Sequence, residues 1–443
     1  MSSQAKSTVA CSAPGKVLVA GGYLVLDRGY TGTVFGLSAR INVITGPIQT
    51  SPGVQLTEIV VESPQFIDAQ WRYGYHLAPE DGGIKVTQLQ VGDKISRNPF
   101  VETTLSYTLT YINQLASSTS KHSLSSAQLK IIADNDYYSR PDSIQERGRF
   151  ANFNQPLSAA NKTGLGSSAA LVTSLTASLL VHYLPTELFD ITSDKGKRTL
   201  HNLAQAAHCA AQGKVGSGFD VAAAVFGSSR YRRFSPSVLA STGEPGSPGF
   251  STRLAKVVDD QSVWDVEVNK EEVSMPKGVV LHMCDVTCGS ESVGMAKKVL
   301  AWKAADTDIS TKLWDDLQSR NDALASTLRE GKLDELPQKI NSVRELIRKM
   351  GELSDVPIEP PSQTELLDAV SAVEGVYGGV VPGAGGYDAA AILMKDDAET
   401  KRRVEEFLAR WSQEKDAKVK LLDVKGEMEG ARQEKLEVYV DWL

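Results

Sequence analysis

The sequence predicts an α+β fold in two domains. Three observations carry that expectation. At 443 residues the chain exceeds what one core of ordinary size organises. Up to residue 133 its apolar segments are mostly short runs rich in β-branched residues, the signature of strands. From residue 292 onward, long stretches with helical spacing dominate and only a few strand-like runs interrupt them. Strands and helices segregated in this way, without strict alternation, mark an α+β chain.

Composition narrows the class. Hydrophobic residues make up 41% and charged residues 23%, ordinary values for a globular protein. The formal charge of -7 argues against general binding to nucleic acid or to an anionic membrane. A small-molecule partner is expected, with the chain a monomer or homodimer. If that partner carries phosphate, an acidic protein must concentrate its cations locally. Cys11, Cys209, Cys284 and Cys288 form no C-x-x-C pair, and no histidine cluster completes a zinc site, so reduced structural thiols are expected. The first sixteen residues contain no apolar stretch of the signal-peptide kind. The apolar run from Ala169 is interrupted by Thr and Ser and stops at Pro185, which reads as a core helix and not a membrane span. The expected location is cytoplasmic.

In chain order, 12–16 (SAPGK) reads as a turn that sets Lys16 at the entrance of a strand, with apolar runs at 17–20 and 23–26 around Gly21-Gly22. Strands are expected at 34–44, 54–61, 71–76, 84–91 and 127–133. Pro99 opens a helix over 99–115, and 134–154 is polar loop. A buried helix spans 169–184. A second, over 197–212, closes on Gly213 as its C-cap. Residues 235–251 (SPSVLASTGEPGSPGFS) are rich in Pro, Gly and Ser and read as a surface loop or hinge between domains 1–234 and 252–443. A buried strand is expected over 279–286, helices over 293–305, 310–330, 335–353 and 362–373, and a strand–glycine loop–strand unit over 376–394. A charged helix over 398–412 and closing strands at 418–424 and 436–442 complete the chain.

Four stretches carry chemistry. In NKTGLGSSAAL (161–171), Lys162 precedes Gly164, Leu165 and Gly166, and Ser167, Ser168 and Ala169 start a long apolar helix. Glycine admits close approach and positive φ, and a helix N-terminus favours an anion. The stretch therefore reads as a phosphate cradle, or more plainly as a Gly-Ser turn with a serine as N-cap. It matches neither G-x-x-x-x-G-K-[ST] nor G-x-G-x-x-G. Asp220 follows the G-x-G turn at 216–218, where it is a helix-dipole partner or a reacting-group ligand. Lys16 is a solvated turn lysine or a cation for a developing charge. Ser290 and Ser292, after a buried strand, suit a helix N-cap or a binding loop. Gly383, Ala384, Gly385 and Gly386 form a tight hairpin or close over a site. Lys214, Lys297 and the arginines 140, 147 and 149 are the local basic residues.

Taken together and in order, APGKVLVAGGYLVLD, KTGLGSSAAL, GKVGSGFDVA and VPGAGGYDAA resemble the successive motifs of the GHMP small-molecule kinases. The resemblance spans most of the chain. It implies the GHMP kinase fold: an N-terminal ATP-binding domain of the ribosomal-protein-S5-like type (1–234) and a C-terminal ferredoxin-like domain with extra helices (252–443). The GGYLVLD and QGKVGSGFDVA forms and the chain length are most similar to members that phosphorylate 5-phosphomevalonate. The activity expected is transfer of the ATP γ-phosphoryl group to that substrate, giving 5-diphosphomevalonate on the mevalonate route to isoprenoids and sterols. A member acting on another acceptor, such as mevalonate, and a catalytically silent ATP or metabolite sensor are the alternatives; Lys16 and Asp220 together argue for a working enzyme.

The resemblance assigns Lys16 and Asp220 to catalysis, and Lys162, Gly164, Leu165, Gly166, Ser167, Ser168 and Ala169 to ATP. It gives Ser168, or else Ser167, a magnesium ion. Ser290, Ser292, Gly383, Ala384, Gly385 and Lys214 fall to the acceptor. Relatives place an acidic metal ligand on the helix before the catalytic aspartate. Residues 200–212 contain none; His208, Cys209 and Gln212 stand there instead, so metal ligation is expected to rest on serine and water, with His208 as a packed helix histidine.

Overall fold

The computed structural model describes residues 7–51, 54, 56–89, 97–117, 124–139, 148–286, 292–415 and 417–443. The first half carries β1 (Val9–Ala20), β2 (Gly32–Pro47), β3 (Glu58–Glu62), β4 (Gln70–Leu77), β5 (Ile84–Gln88), α1 (Pro99–Ser117) and β6 (Ala127–Ala133). It continues through α2 (Ser167–Tyr183), α3 (Asp194–Gln212), α4 (Phe219–Phe226), β7 (Ser229–Arg232), α5 (Phe250–Asp259) and β8 (Glu267–Asn269). The second half carries β9 (Val279–Val286), α6 (Ser292–Ala305), α7 (Thr307–Glu330), α8 (Leu336–Ser354), α9 (Pro361–Ser371), β10 (Val376–Val380) and β11 (Ala389–Lys395). It closes with α10 (Ala398–Glu414), β12 (Val419–Glu427) and β13 (Arg432–Glu434).

These strands join one sheet, in the order β10-β11-β9-β12-β2-β6-β3-β4-β5, with β1 on β2. Strand β2 is the spine: different stretches of it pair with β1, β6, β7 and β12. Its run of Val, Phe, Leu and Ile side chains, buried on both faces, suits that central place. The second half is a β-α-β-β-α-β unit whose four strands, numbered by themselves, lie 2-3-1-4 and pair antiparallel, the ferredoxin-like order. The α+β expectation is met.

Helix α2 is apolar nearly all round, and it is buried nearly all round, packed on β1, β2, α1, α3 and α4. No helix among the described residues is long and apolar enough to cross a membrane. Cys11, Cys209 and Cys284 are buried free thiols, pushed up in pKa by that burial; Cys288 lies outside the described residues.

The two halves are sewn together at Arg40. This buried guanidinium on β2 donates to the Ser12 hydroxyl at 2.7 Å and to the Gly430 carbonyl at 2.6 Å, and it faces Glu427 and Glu434. β13 pairs with the start of β1, and Tyr439 donates to the Asn42 amide oxygen at 2.8 Å.

Local expectations fail at three places. Residues 12–16 are not a turn: they run inside β1, with a register shift between Pro14 and Lys16 that accommodates the proline. Residues 23–26 are not a strand: Tyr23 takes φ 65° and leads into a 3-10 turn, Leu24–Leu26. Residues 436–442 also form 3-10 turns, because Leu436, Tyr439 and Trp442 are spaced by three and pack together against β1, β2 and β6. Residues 235–249 are the expected surface loop, with a 3-10 turn, Pro236–Leu239, and coil tied to the β4–β5 turn: Gly246 N–H donates to the Gly82 carbonyl, and Gly249 N–H to the Glu80 carbonyl, each at 2.8 Å; Phe250 and Ser251 already belong to α5.

Candidate active site

The site is built along one free stretch of backbone. Past residue 12, β1 is hydrogen-bonded to β2 on one edge, while β13 no longer covers the other. Two glycine loops take that open edge. Lys16 N–H donates to the Leu165 carbonyl at 2.9 Å, and Gly383 N–H donates to the Leu18 carbonyl at 3.0 Å. The predicted phosphate loop and the predicted C-terminal loop therefore dock two residues apart on one strand.

In the first loop, Gly164 and Gly166 take φ of 76° and 81°, and Gly166 caps α2 from the left-handed region. A side chain at Gly166 would collide with the Lys16 stem, 2.7 Å from its Cε and 2.8 Å from its Cγ. Glycine is required there so that Lys16 can lie beneath the loop. Nothing stands within 4 Å of a Cβ placed at Gly164. Leu165 and Ala169 are buried anchors. Ser167 and Ser168 open α2, and with Lys162 they line a cavity of about 100 Å³. Trp71, Phe100, Tyr138 and Leu171 form its apolar walls, and Asn98 and Ser63 its polar ones.

Asp220 comes from α4, whose N-cap Gly218 also takes φ 81°. The preceding loop is braced at three successive carbonyls. Arg233 donates to those of Val215 and Gly216 at 3.2 and 2.7 Å, and Tyr231 donates to that of Ser217 at 2.7 Å. Asp220 Oδ1 accepts from the Val221 N–H at 3.0 Å, which leaves Oδ2 to face the site. Lys16 Nζ lies over the Phe219 ring, 5.5 Å from its centroid. Burial pushes the Lys16 ammonium below the ordinary lysine range, and the Asp220 charge partly restores it. Residues 204 positions apart in the chain thus share one electrostatic environment.

His208, expected as a packed helix histidine, is packed and also reaches the site. It is buried on α3, with Nε2 3.2 Å from the Ser168 hydroxyl and 3.8 Å from Asp220 Oδ2. Its signal in the sequence was its place one helix before GSGFD, where the resemblance led one to look for a carboxylate.

The second loop is latched from three sides. Gly383 binds β1, Ala384 accepts from the buried Tyr23 hydroxyl at 2.6 Å, and Gly386 N–H donates to the Ile358 carbonyl at 2.8 Å. A Cβ on Gly385 would strike that Ile358 carbonyl. Behind Ile358, the buried Glu359 is held by Arg344 at 2.7 Å and Arg348 at 2.9 Å. Lys214 is exposed at the α3 C-cap, and Lys297 is exposed on α6. Arg149 is engaged in a two-point pair with Asp134. Ser290, Arg140 and Arg147 lie outside the described residues, as does the side chain of Ser292, which begins α6.

The donors gathered here are hard oxygens: two hydroxyls and a carboxylate. Among the described residues, no three His, Cys, Asp or Glu side chains form a metal-binding group. Such a set, beside open space at Gly164, fits a magnesium ion that keeps waters and takes its remaining ligands from phosphate oxygens.

Comparison with known proteins gives the family. Residues 154–228 match the model of the GHMP kinases N terminal domain, and residues 324–415 that of the GHMP kinases C terminal domain. A phosphomevalonate kinase of Gibberella zeae is 71% identical over 98% of this chain and 99% of its own. A peroxisomal phosphomevalonate kinase of Arabidopsis thaliana is 33% identical over 89% of this chain and 91% of its own. A solved Streptococcus pneumoniae phosphomevalonate kinase, in complex with phosphomevalonate and AMPPNP, shares the fold with a TM-score of 0.62 at 16% identity, over 95% of this chain and 100% of that one.

Proposed function

The chain belongs to the GHMP kinase family, as one of its phosphomevalonate kinases, and we propose that Lys16 and Asp220 carry its chemistry. The reaction is ATP-dependent phosphorylation of 5-phosphomevalonate to 5-diphosphomevalonate. One observation supports the residue assignment above the rest: the Lys16 stem lies beneath the glycine loop that starts α2, and the Asp220 charge acts on its buried ammonium.

Phosphoryl transfer asks a protein mainly for positioning and charge neutralisation. The backbone of 164–168 and the hydroxyls of Ser167 and Ser168 hold the triphosphate at the α2 N-terminus, where the helix dipole favours it. The cavity walled by Trp71, Phe100, Tyr138 and Leu171 takes the apolar faces of the adenine ring. Lys162 stands at its mouth.

The attacking group is an oxygen of the acceptor's own phosphate. Its second pKa is about 6, so it is ionised near neutral pH. Asp220 therefore has little proton to remove, and its work is to orient this oxygen. Lys16 places a compact cation where negative charge spreads in the transition state. Gly383, Ala384 and Gly385 shape the acceptor side, with Ser290, Ser292 and Lys214 as its further contacts. Ser168, or else Ser167, would hold the magnesium ion, which when bound would neutralise phosphate charge. We place the enzyme in the cytoplasm, supplying isoprenoid and sterol synthesis.

A coupled ADP-release assay tests this reading, with magnesium-ATP and a panel of mevalonate, 5-phosphomevalonate, 5-diphosphomevalonate, galactose and homoserine. Turnover with 5-phosphomevalonate alone is expected. Turnover with a different acceptor would replace the substrate assignment and keep the ATP site. Fractionation of cells making the tagged protein tests its location.

A further inference from the structure

Three helices bring their ends to the site: α2 and α4 by their N-termini, α3 by its C-terminus. The first two contribute Ser168 and Asp220. What α3 contributes is His208, a side chain 1% exposed whose ring is close to both. Neighbouring α3 residues explain how it is held. Gln212 lies one turn on, at the i+4 spacing that puts two side chains on one helix face. Its amide nitrogen is 3.4 Å from His208 Nδ1. The Phe100 ring covers the imidazole at 5.7 Å between centroids, tilted by 35°.

The hydrogen count then assigns the ring. An amide nitrogen donates and cannot accept. With the Gln212 amide nitrogen facing it, Nδ1 accepts, which places the ring proton on Nε2. That N–H points to the Ser168 hydroxyl oxygen at 3.2 Å. At 3.8 Å the Asp220 Oδ2 is too far for a hydrogen bond, but near enough to favour the positive end of the same N–H dipole. Because Ser168 Oγ accepts from His208, its own O–H and its remaining lone pair are turned away from α3.

We propose that His208 is a positioning residue for phosphoryl transfer: through Gln212 and Ser168 it fixes the direction of the Ser168 hydroxyl and its separation from Asp220. The relay is Gln212 Nε2–H to His208 Nδ1, then His208 Nε2–H to Ser168 Oγ. The inference rests on the reading of Ser168 and Asp220 as groups of the site, and deepens it.

The test uses His208→Leu, His208→Gln and Gln212→Leu in the full chain, with two independent readouts. The first is the ring nitrogen spectrum of His208 in ¹⁵N-histidine-labelled protein without nucleotide, its signal assigned by its loss in H208Q. The Nε2–H tautomer is expected, with a mixed signal in Gln212→Leu. A proton on Nδ1 would overturn the relay whatever the activity. The second is the split between kcat and KM. His208→Leu should lower kcat roughly tenfold or more, with KM for both substrates within about threefold, since small misplacements of reacting groups are costly in rate. His208→Gln, whose amide N–H reaches the place of Nε2–H, should recover most of that loss. Wild-type kcat in H208L would overturn the proposal. So would equal losses in H208L and H208Q with matching drops in Tm, which mark a packing role. If the wild type turns over no acceptor, the functional reading fails while the spectrum still decides the relay.

Discussion

The two glycine loops on the open edge of β1 use glycine for opposite ends. At 161–168 the glycines keep space: nothing lies near a Cβ at Gly164, and Gly166 leaves room for a lysine stem. At 382–386 they remove space: Gly385 lets the loop sit against the Ile358 carbonyl, and Gly386, Ala384 and Gly383 are each hydrogen-bonded to a different segment. A β-carbon at Gly164 would stand in open space; one at Gly385 would strike backbone. Equal glycine content therefore says nothing by itself about which loop binds and which one holds the halves together. What distinguishes Gly164 from Gly385 is what a β-carbon would meet.

If the contrast is right, changes on the cradle side should cost rate and changes on the latch side should cost stability. The largest effect is expected for Lys16→Met and for Asp220→Asn. Each should lower kcat about 10²–10³-fold, the size of losing one electrostatic contact in a transition state, with KM and Tm little changed. Steady-state kinetics beside a melting curve would show it, and near-normal kcat in either variant would remove that residue from the chemistry.

Next comes Gly385→Ala. A β-carbon at φ 75° against a carbonyl should destabilise the protein by about 3 kcal/mol, read from urea unfolding. Gly164→Ala, at nearly the same φ of 76° but in open space, should cost about 1 kcal/mol and act mainly on the KM for ATP. Equal stability losses in the two would erase the contrast.

A pH profile sharpens the cradle half. Burial depresses the Lys16 pKa, and the charged form is the working one, so kcat/KM should fall as pH rises through a point below the ordinary lysine value of 10.5. Lys16→Arg stays charged throughout. Its residual activity should lack that alkaline limb, and a limb retained in the arginine variant would assign it to another group. The smallest effect is expected for Tyr23→Phe, which deletes one hydrogen bond to Ala384 and should cost about 1 kcal/mol in unfolding free energy with kcat nearly intact.

Much of this was legible before the structure. The order of the four motifs marked both loops, Lys16 and Asp220, because glycine and charge at fixed offsets are local signals. Boundaries set by distant partners were not. Pro14-Gly15 reads as a turn by composition, yet β2 and the two loops hold it extended in β1. The alternation at 436–442 looks like a strand until β1, β2 and β6 select one residue in three. The strained Tyr23 backbone and the closeness of His208 to Ser168 depend on contacts 361 and 40 residues apart, which no local pattern encodes.

The seam at Arg40 has a consequence for the birth of the molecule. β1 emerges from the ribosome first, while β13 and Tyr439, which cover its beginning and cap Asn42, emerge only after some four hundred further residues. Domains ordinarily settle in turn as they are made. Here the start of β1 waits with an unpaired flank until β13 is made. The nascent chain should therefore depend on chaperones until late, and ribosome-bound chains stopped before residue 432 should remain sensitive to protease at β1.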